Sequence, residues 1–257
     1  MQRMSFALVL ALAGLTALGC NASVTIKPQT KFTGATPVTK TASRAMAATD
    51  VIEIENGNGA VVVNADASAT TVSLSTTVFA FADNQADADA ALADLTATIA
   101  LDESTGKFYI HCNEAATSHG TAAAGTTGCE GFTIKVPAGS ATAPLTLKAT
   151  AHNGSIDATG LTGTITIHSD NGDATASLTP AVASTIEVSS GNGDATLALP
   201  ANFTADTVTL TPGSAGGKVI STDFPDVTAA TSANRKSGGA KSITVSTENG
   251  DVTLKKQ

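Results

Sequence analysis

One short phrase recurs along the chain and constrains its fold more than any other feature. It is a tight polar turn built on glycine, followed by alternating Thr or Ala and aliphatic residues. It reads GNGAVVV at Gly57–Val63, HNGSIDAT at His152–Thr159, DNGDATASL at Asp170–Leu178, GNGDATLAL at Gly191–Leu199 and ENGDVTL at Glu248–Leu254. The turn glycines Gly154, Gly172 and Gly193 are 18 and 21 residues apart, and a weaker copy, GGKVIST, starts at Gly216. A period of about 20 residues predicts a repeat array in which each unit buries its apolar face on its neighbours. Asn-Gly corners suit such an array, because they supply the tight turns that ordinary residues resist.

The side chains agree. Aromatics make up 4% of the 257 residues, Trp is absent, and the apolar content is mostly Ala, Val, Leu and Ile. Small side chains fill a thin core between closely stacked strands more readily than a thick globular one. Abundant Thr and 23 glycines favour strands over helices. Apolar residues two apart, such as Ile165 with Ile167 and Leu197 with Leu199, predict half-buried strands. From about residue 152 these strands come in pairs that settle into successive coils, with Ser242–Ser246 and Asp251–Leu254 closing the array. Residues 51–136 are more irregular and could cap one end, with Asn56–Gly59 as a hairpin or sharp corner and Leu95–Leu101 as a strand. The Ala-rich, acid-led DNQADADAALAD at 83–94 predicts one short helix.

The N-terminus reads as an address. Arg3 precedes an almost wholly apolar run from Phe6 to Leu18, then Gly19-Cys20. A basic start, a run of this length and a small residue before the cut form a secretory signal over 1–19. The run is too short for a normal membrane span. Ala17-Leu18-Gly19-Cys20 resembles the bacterial lipoprotein box, with Ala17 where that family prefers Leu. The resemblance implies that Cys20 is lipidated and becomes the new N-terminus, and Asn21 fits passage to the outer membrane. The rival is ordinary export with Cys20 lost or free. Residues 20–48, with Pro28 and Pro37, read as a flexible tether, and 49–257 as the body.

Charge narrows the partners. Lys27, Lys31, Lys40 and Arg44 stand in a segment without acids, whereas residues 49–257 carry 9 basic against 22 acidic groups, a balance of −13. An acidic body argues against nucleic acid, which requires a cationic footprint. The basic segment is a solvated linker or lies against anionic head groups.

Cys112 and Cys129 remain as a pair once Cys20 is set aside. In an oxidising compartment a disulfide is the default for such a pair. A metal site on Cys112, Cys129, His111 and His119 is the alternative, weakened by the absence of a CxxC pair and by His111 and Cys112 being strand neighbours that point to opposite faces.

The order of these features carries a resemblance: an early NGNG turn, a long strand, an Ala-rich segment, a strand pair, IKVPAGS at Ile134–Ser140, then the turns at Asn153-Gly154, Asn171-Gly172, Asn192-Gly193 and Asn249-Gly250. Over about residues 50–255 the chain resembles the bacterial putative-adhesin family of exported β-repeat domains. The resemblance implies an all-β, right-handed parallel β-solenoid at the cell envelope with no established catalytic residues. The Cys112–Cys129 loop is an insertion relative to that pattern.

Two chemistries remain to be weighed. Asp157, Asp173, Asp194 and Asp251 follow turns at similar places. They stabilise those turns through local bonds, or they stack into a ladder that shares Ca²⁺. A polysaccharide lyase or hydrolase is the enzymatic rival, but Tyr109 is the single Tyr, and His152 and His168 read as turn or surface residues. No Gly-x-Ser-x-Gly elbow, phosphate loop or HExxH occurs. The resulting expectation is a non-catalytic envelope lipoprotein without cofactor or metal, with Gly57, Gly154, Gly172, Gly193 and Gly250 as structural turn residues. Its partners are the membrane, through the lipid, and a surface glycan or protein. A structural or envelope-sensing module is the alternative.

Overall fold

The computed structural model describes residues 29–42, 44–46, 50–98, 100–104, 106–112, 127–220, 223–224, 227, 233–235 and 239–257. The export signal, Cys20 and His119 lie outside the described residues. The described strands are β1 (Thr30–Thr33), β2 (Val38–Thr41), β3 (Val51–Asn58), β4 (Ala60–Asp66), β5 (Ser73–Ala82), β6 (Ala100–Ser104), β7 (Lys107–His111), β8 (Thr127–Pro137) and β9 (Leu145–Asn153). They continue as β10 (Ile156–Asn171), β11 (Ala174–Thr179), β12 (Thr185–Ser190), β13 (Ala195–Leu199), β14 (Ala205–Thr211), β15 (Val219–Ile220), β16 (Ala233–Arg235), β17 (Ser242–Thr247) and β18 (Val252–Lys256). One helix, α1 (Gln85–Thr98), accompanies them. The fold is mostly β. Its strands belong to one large, open sheet that mixes parallel and antiparallel pairing.

Two parallel ladders form the greater part. One runs β7–β3–β9–β10–β12–β17–β14. The other runs β8–β4–β10–β11–β13–β18–β15. The 16-residue β10 belongs to both, leaving one ladder at Thr162 and entering the other at Gly163. Each tier therefore holds one strand of each ladder. Inward positions stack on like positions: Ile52, Leu147, Ile165, Ile186, Ile243 and Val208 form one column, and Ile54, Ala149, Ile167, Val188, Val245 and Leu210 a second. All twelve are 0–2% exposed. Burying an aliphatic side chain of the larger kind contributes about 1.5–3 kcal/mol, and in-register stacking repeats that gain at every tier.

The tiers do not stack in sequence order. The tier β17–β18 (residues 242–256) sits between β12–β13 and β14–β15, so the chain adds an outer tier and then returns to fill the gap beneath it. The other end mirrors this, with β3–β4 lying between β7–β8 and the tier of β9 with the first half of β10. The expectation that 242–254 closes the array is thus corrected.

Most of the antiparallel pairing gathers at one end, and β16 pairs antiparallel with β14 at the other. β5 pairs antiparallel with β8, β1 and β2, and β6 pairs with β7. Residues 30–41, read as tether, thus include two paired strands. Their Thr, Lys, Phe and Val alternate, Phe32 and Val38 pack against the core, and the pair covers the edge of β5. Two of the basic residues assigned to that segment meet acids of the body: Lys31 pairs with Glu130, and Arg44 Nη1 lies 2.9 Å from buried Asp50 while its guanidinium covers the Phe108 ring.

Helix α1 starts and ends later than the sequence predicts. Asn84 caps it, its Oδ1 accepting the Asp87 N–H at 3.0 Å. Ala88, Ala91, Leu92 and Leu95 form its buried stripe at spacings of three and four. Leu95 completes that stripe, which is why the predicted strand at 95–101 yields its first residues to the helix and begins at Ala100 instead. No helix among the described residues is long and apolar enough to cross a membrane.

Candidate functional site

The corners between ladders are structural. A Cβ on Gly154 would lie 2.2 Å from the Gly59 carbonyl oxygen, and one on Gly250 2.2 Å from that of Gly193. Gly172 and Gly193 occupy the same column. Tiers at strand spacing of about 4.8 Å leave no room there for a side chain. Gly59, rather than Gly57, brings the first repeat into this column, because β3 continues through Gly57 to Asn58. The corner carbonyls are also capped from inside: Asn56, Ser169, Ser190 and Thr247 donate to the carbonyls of Gly59, Gly154, Gly172 and Gly193 at 2.8–2.9 Å. These are four of the buried polar side chains, and each is thereby satisfied.

Outside the column runs an amide ladder. Asn249 donates to Asn192, Asn192 to Asn171 and Asn171 to Asn153, at 2.9–3.2 Å. The aspartates after the glycines do the same work between tiers. Asp173 Oδ1 accepts the Asp194 N–H, Asp194 Oδ1 the Asp251 N–H and Asp251 Oδ1 the Lys218 N–H, at 2.8–2.9 Å. The bonds thus cross tiers, where local bonds were expected. Asp157 stands outside this column, where Ser155 takes the equivalent place, and its carboxylate accepts the Thr159 hydroxyl at 3.1 Å. Among the described residues no group of three or more His, Cys, Asp and Glu is disposed to hold a metal ion.

The outward face of the first ladder carries the chemistry. Parallel pairing places alternate residues of β7, β3, β9, β10 and β12 side by side. A chain of hydrogen bonds and one longer ion-pair contact crosses these five strands. Tyr109 Oη donates to Glu55 Oε2 at 2.7 Å, and Glu55 Oε1 lies 3.6 Å from His152 Nε2. His152 Nδ1 meets Asp170 Oδ2 at 2.6 Å, and His168 Nε2 meets Asp170 Oδ1 at 2.8 Å. His168 Nδ1 then lies 2.8 Å from Ser189 Oγ. A carboxylate only accepts, so both imidazoles donate to Asp170, while the Ser189 hydroxyl donates to the Ile167 carbonyl at 3.3 Å. The bond to Asp170 raises the His152 pKa, and the same bond lowers that of Asp170. The Tyr109 bond holds Glu55 below the usual carboxylate range and pushes the phenol up.

This chain borders a cleft of about 450 Å³ between Glu55, Tyr109, His111, His152 and Asn153, floored by the Cys112–Cys129 disulfide. The disulfide joins the end of β7 to the start of β8, the two strands of one tier, with Cα atoms 6.2 Å apart. The Tyr109 and His111 rings lie with centroids 4.6 Å apart at a tilt of 38°, and the buried His111 Nδ1 has no hydrogen-bond partner among the described residues. The alternative metal site on these two cysteines is overturned, because both sulfurs are consumed by the disulfide.

Ser189, His168 and Asp170 follow the order of a nucleophile, base and acid. Ser189 lies inside a strand paired on both sides, with β10 and β17. Its backbone neighbours serve the ladders, which leaves no pair of N–H groups beside the hydroxyl to receive an oxyanion. The hydrogen bonds instead tie β7 to β3 and β9 to β10 and β12, and fix ring orientations. His152 and His168 were singled out in the sequence. Glu55, Tyr109 and Asp170 were not read as their partners. The alternation at His168/Asp170 signals a shared face, but the approach of Glu55 to His152 depends on the tier order.

No family model matches the sequence, and no curated protein matches it. The fold has a solved counterpart. The chain is similar to the crystal structure of a putative cell adhesion protein from Clostridium sporogenes ATCC 15579, with a TM-score of 0.58 at 12% sequence identity, covering 86% of this chain and 100% of that one. At that identity the likeness is one of fold.

Proposed function

We propose that this chain is a non-catalytic surface-contact protein of the cell envelope, whose body is a right-handed parallel β-solenoid of about 20-residue coils. The observation that carries the reading is the fold likeness to a putative cell adhesion protein across 86% of the chain. The solenoid is supported by the seven in-register tiers and by the glycine column at their corners. Its hand follows the resemblance read from the sequence and the general right-handedness of parallel crossovers. The non-catalytic reading rests on the interior strand position of Ser189 and on the use of Asp173, Asp194 and Asp251 as inter-tier acceptors. Export and lipidation at Cys20 place the body at the outer membrane, with the basic N-terminal segment nearest the lipid.

Deleting the gene and measuring attachment of the cells to host cells and to polysaccharide-coated surfaces tests this. Attachment is expected to fall and to return when the full chain is restored. Unchanged attachment with an altered envelope-stress response overturns the reading in favour of a structural or sensing module.

A further inference from the structure

Adhesive contact requires a place where a ligand is held, and one cleft in the molecule has the makings of it. We infer that the cleft beside Tyr109 and the Cys112–Cys129 disulfide binds a neutral, hydroxyl-rich carbohydrate terminus, an inference that rests on the surface-contact reading. Three observations carry it. The cleft's volume, about 450 Å³, falls within the range of small-molecule sites. The adjacent rings of Tyr109 and His111, tilted 38° to each other, give it an aromatic wall suited to the C–H face of a pyranose. The buried His111 Nδ1 has no partner among the described residues, although buried polar atoms ordinarily have one. A sugar hydroxyl both donates and accepts, so it satisfies that nitrogen in either tautomer.

Charge selects among sugars. Glu53 and Glu55 stand beside Tyr109, and Asp170 lies across His152. Lys107 is already paired with Glu53 at 3.0 Å, and His152 lies between Glu55 and Asp170. Lys148 stands on the same face, so a uronate or phosphate would meet three carboxylates against two lysines, a surplus of negative charge that disfavours anionic ligands. The positions of the polar groups are fixed before binding, because Tyr109 holds Glu55 and Asp170 holds His152. A preorganised site avoids part of the ordering cost of association.

The test uses the folded exported chain and a panel of methyl glycosides of glucose, galactose, mannose, N-acetylglucosamine and glucuronic acid. Titrations are followed through the ring resonances of Tyr109, His111 and His152. At least one neutral glycoside is expected to shift these resonances saturably, with the glucuronide binding at least tenfold more weakly. Tyr109→Ala should weaken binding tenfold or more. His111→Phe, which retains a ring but removes the nitrogens, should weaken it about fivefold. Asp157→Asn, on the other ladder, should leave it unchanged, and melting curves confirm that each variant folds. Absence of saturable shifts for every neutral glycoside, equal binding by His111→Phe, or preference for the glucuronide overturns the inference. Reduced attachment on gene deletion without glycoside binding sinks this site and leaves the surface-contact reading standing. Glycoside binding with unchanged attachment does the reverse.

Discussion

Deleting residues 242–257 removes a tier that lies inside the stack, and the consequence differs from trimming an end. The tier's own inward side chains, Ile243, Val245, Val252 and Leu254, are fully buried. Their loss is partly offset, since their strands no longer have to be ordered. The outer tier is not relieved in this way. Among the described strands β14 and β15 have parallel partners only in β17 and β18, so Val208 and Leu210, also fully buried, lose the side chains beneath them while their backbone still has to be ordered. At about 1.5–3 kcal/mol for each side chain, the uncompensated loss is about 3–6 kcal/mol. Against a total stability of about 5–15 kcal/mol for an ordinary domain, that is a large share. It corresponds to a fall in melting temperature of about 6–24 °C for a body of this size. Circular dichroism melts of the full chain and of the chain ending at Lys241 measure the fall. Hydrogen exchange locates it: amides of 205–211 should lose protection while those of β9–β11 keep theirs. A melting temperature within about 3 °C of the full chain, with 205–211 still protected, would refute the interleaved order, because the last tier would then be a dispensable end.

Four further outcomes follow from the same geometry. Gly250→Ala drives a methyl group onto the Gly193 carbonyl and should cost about 1–3 kcal/mol, read as a lower urea midpoint with an unchanged slope. Ser190→Ala removes the inner donor to the part-buried Gly172 carbonyl and should cost about 0.5–1.5 kcal/mol in the same assay. Reducing the Cys112–Cys129 bond, which spans 17 positions, should lower stability by about 3 kcal/mol and release two thiols. For His152→Gln, pH is the variable. The raised His152 stabilises the fold below its ordinary value of 6.5, and this is lost as pH rises through its higher folded value; the lowered Asp170 stabilises the fold above 3.8, and this is lost as pH falls through its lower folded value. The melting-temperature gap between wild type and His152→Gln should therefore be widest between pH 3.8 and 6.5 and narrow on both sides.

Much of the body was legible because its pattern is local. Gly154, Gly172, Gly193 and Gly250 announce their corners, and the alternation at Ile165 and Ile167 announces which side chains face inward. Tier order is a different kind of information. Val252 pairs with Ala195 on one side and Val219 on the other, yet every tier carries the same alternation, so nothing in the residues 251–254 selects that slot over a place beyond 220. The candidate cleft inherits that difficulty. Glu55 and His152 stand 97 positions apart in the chain, and they meet because 51–58 stacks on 145–153. Residues 30–41 misled for a simpler reason. Short Thr- and Lys-bearing strands look like a linker until a neighbour such as β5 offers them an open edge.

The return of residues 242–256 into a gap left between earlier segments bears on how the chain matures. Synthesis runs from the N-terminus, so the seat for this segment must stay vacant while about forty intervening residues are made. Pairing over such separations is slow and leaves greasy surface uncovered meanwhile. A ribosome that stops early releases a product with a raw, unsealed flank, recognisable to any quality-control protease. Arrival of residues 242–256 covers the facing edges of β12 and β14 together.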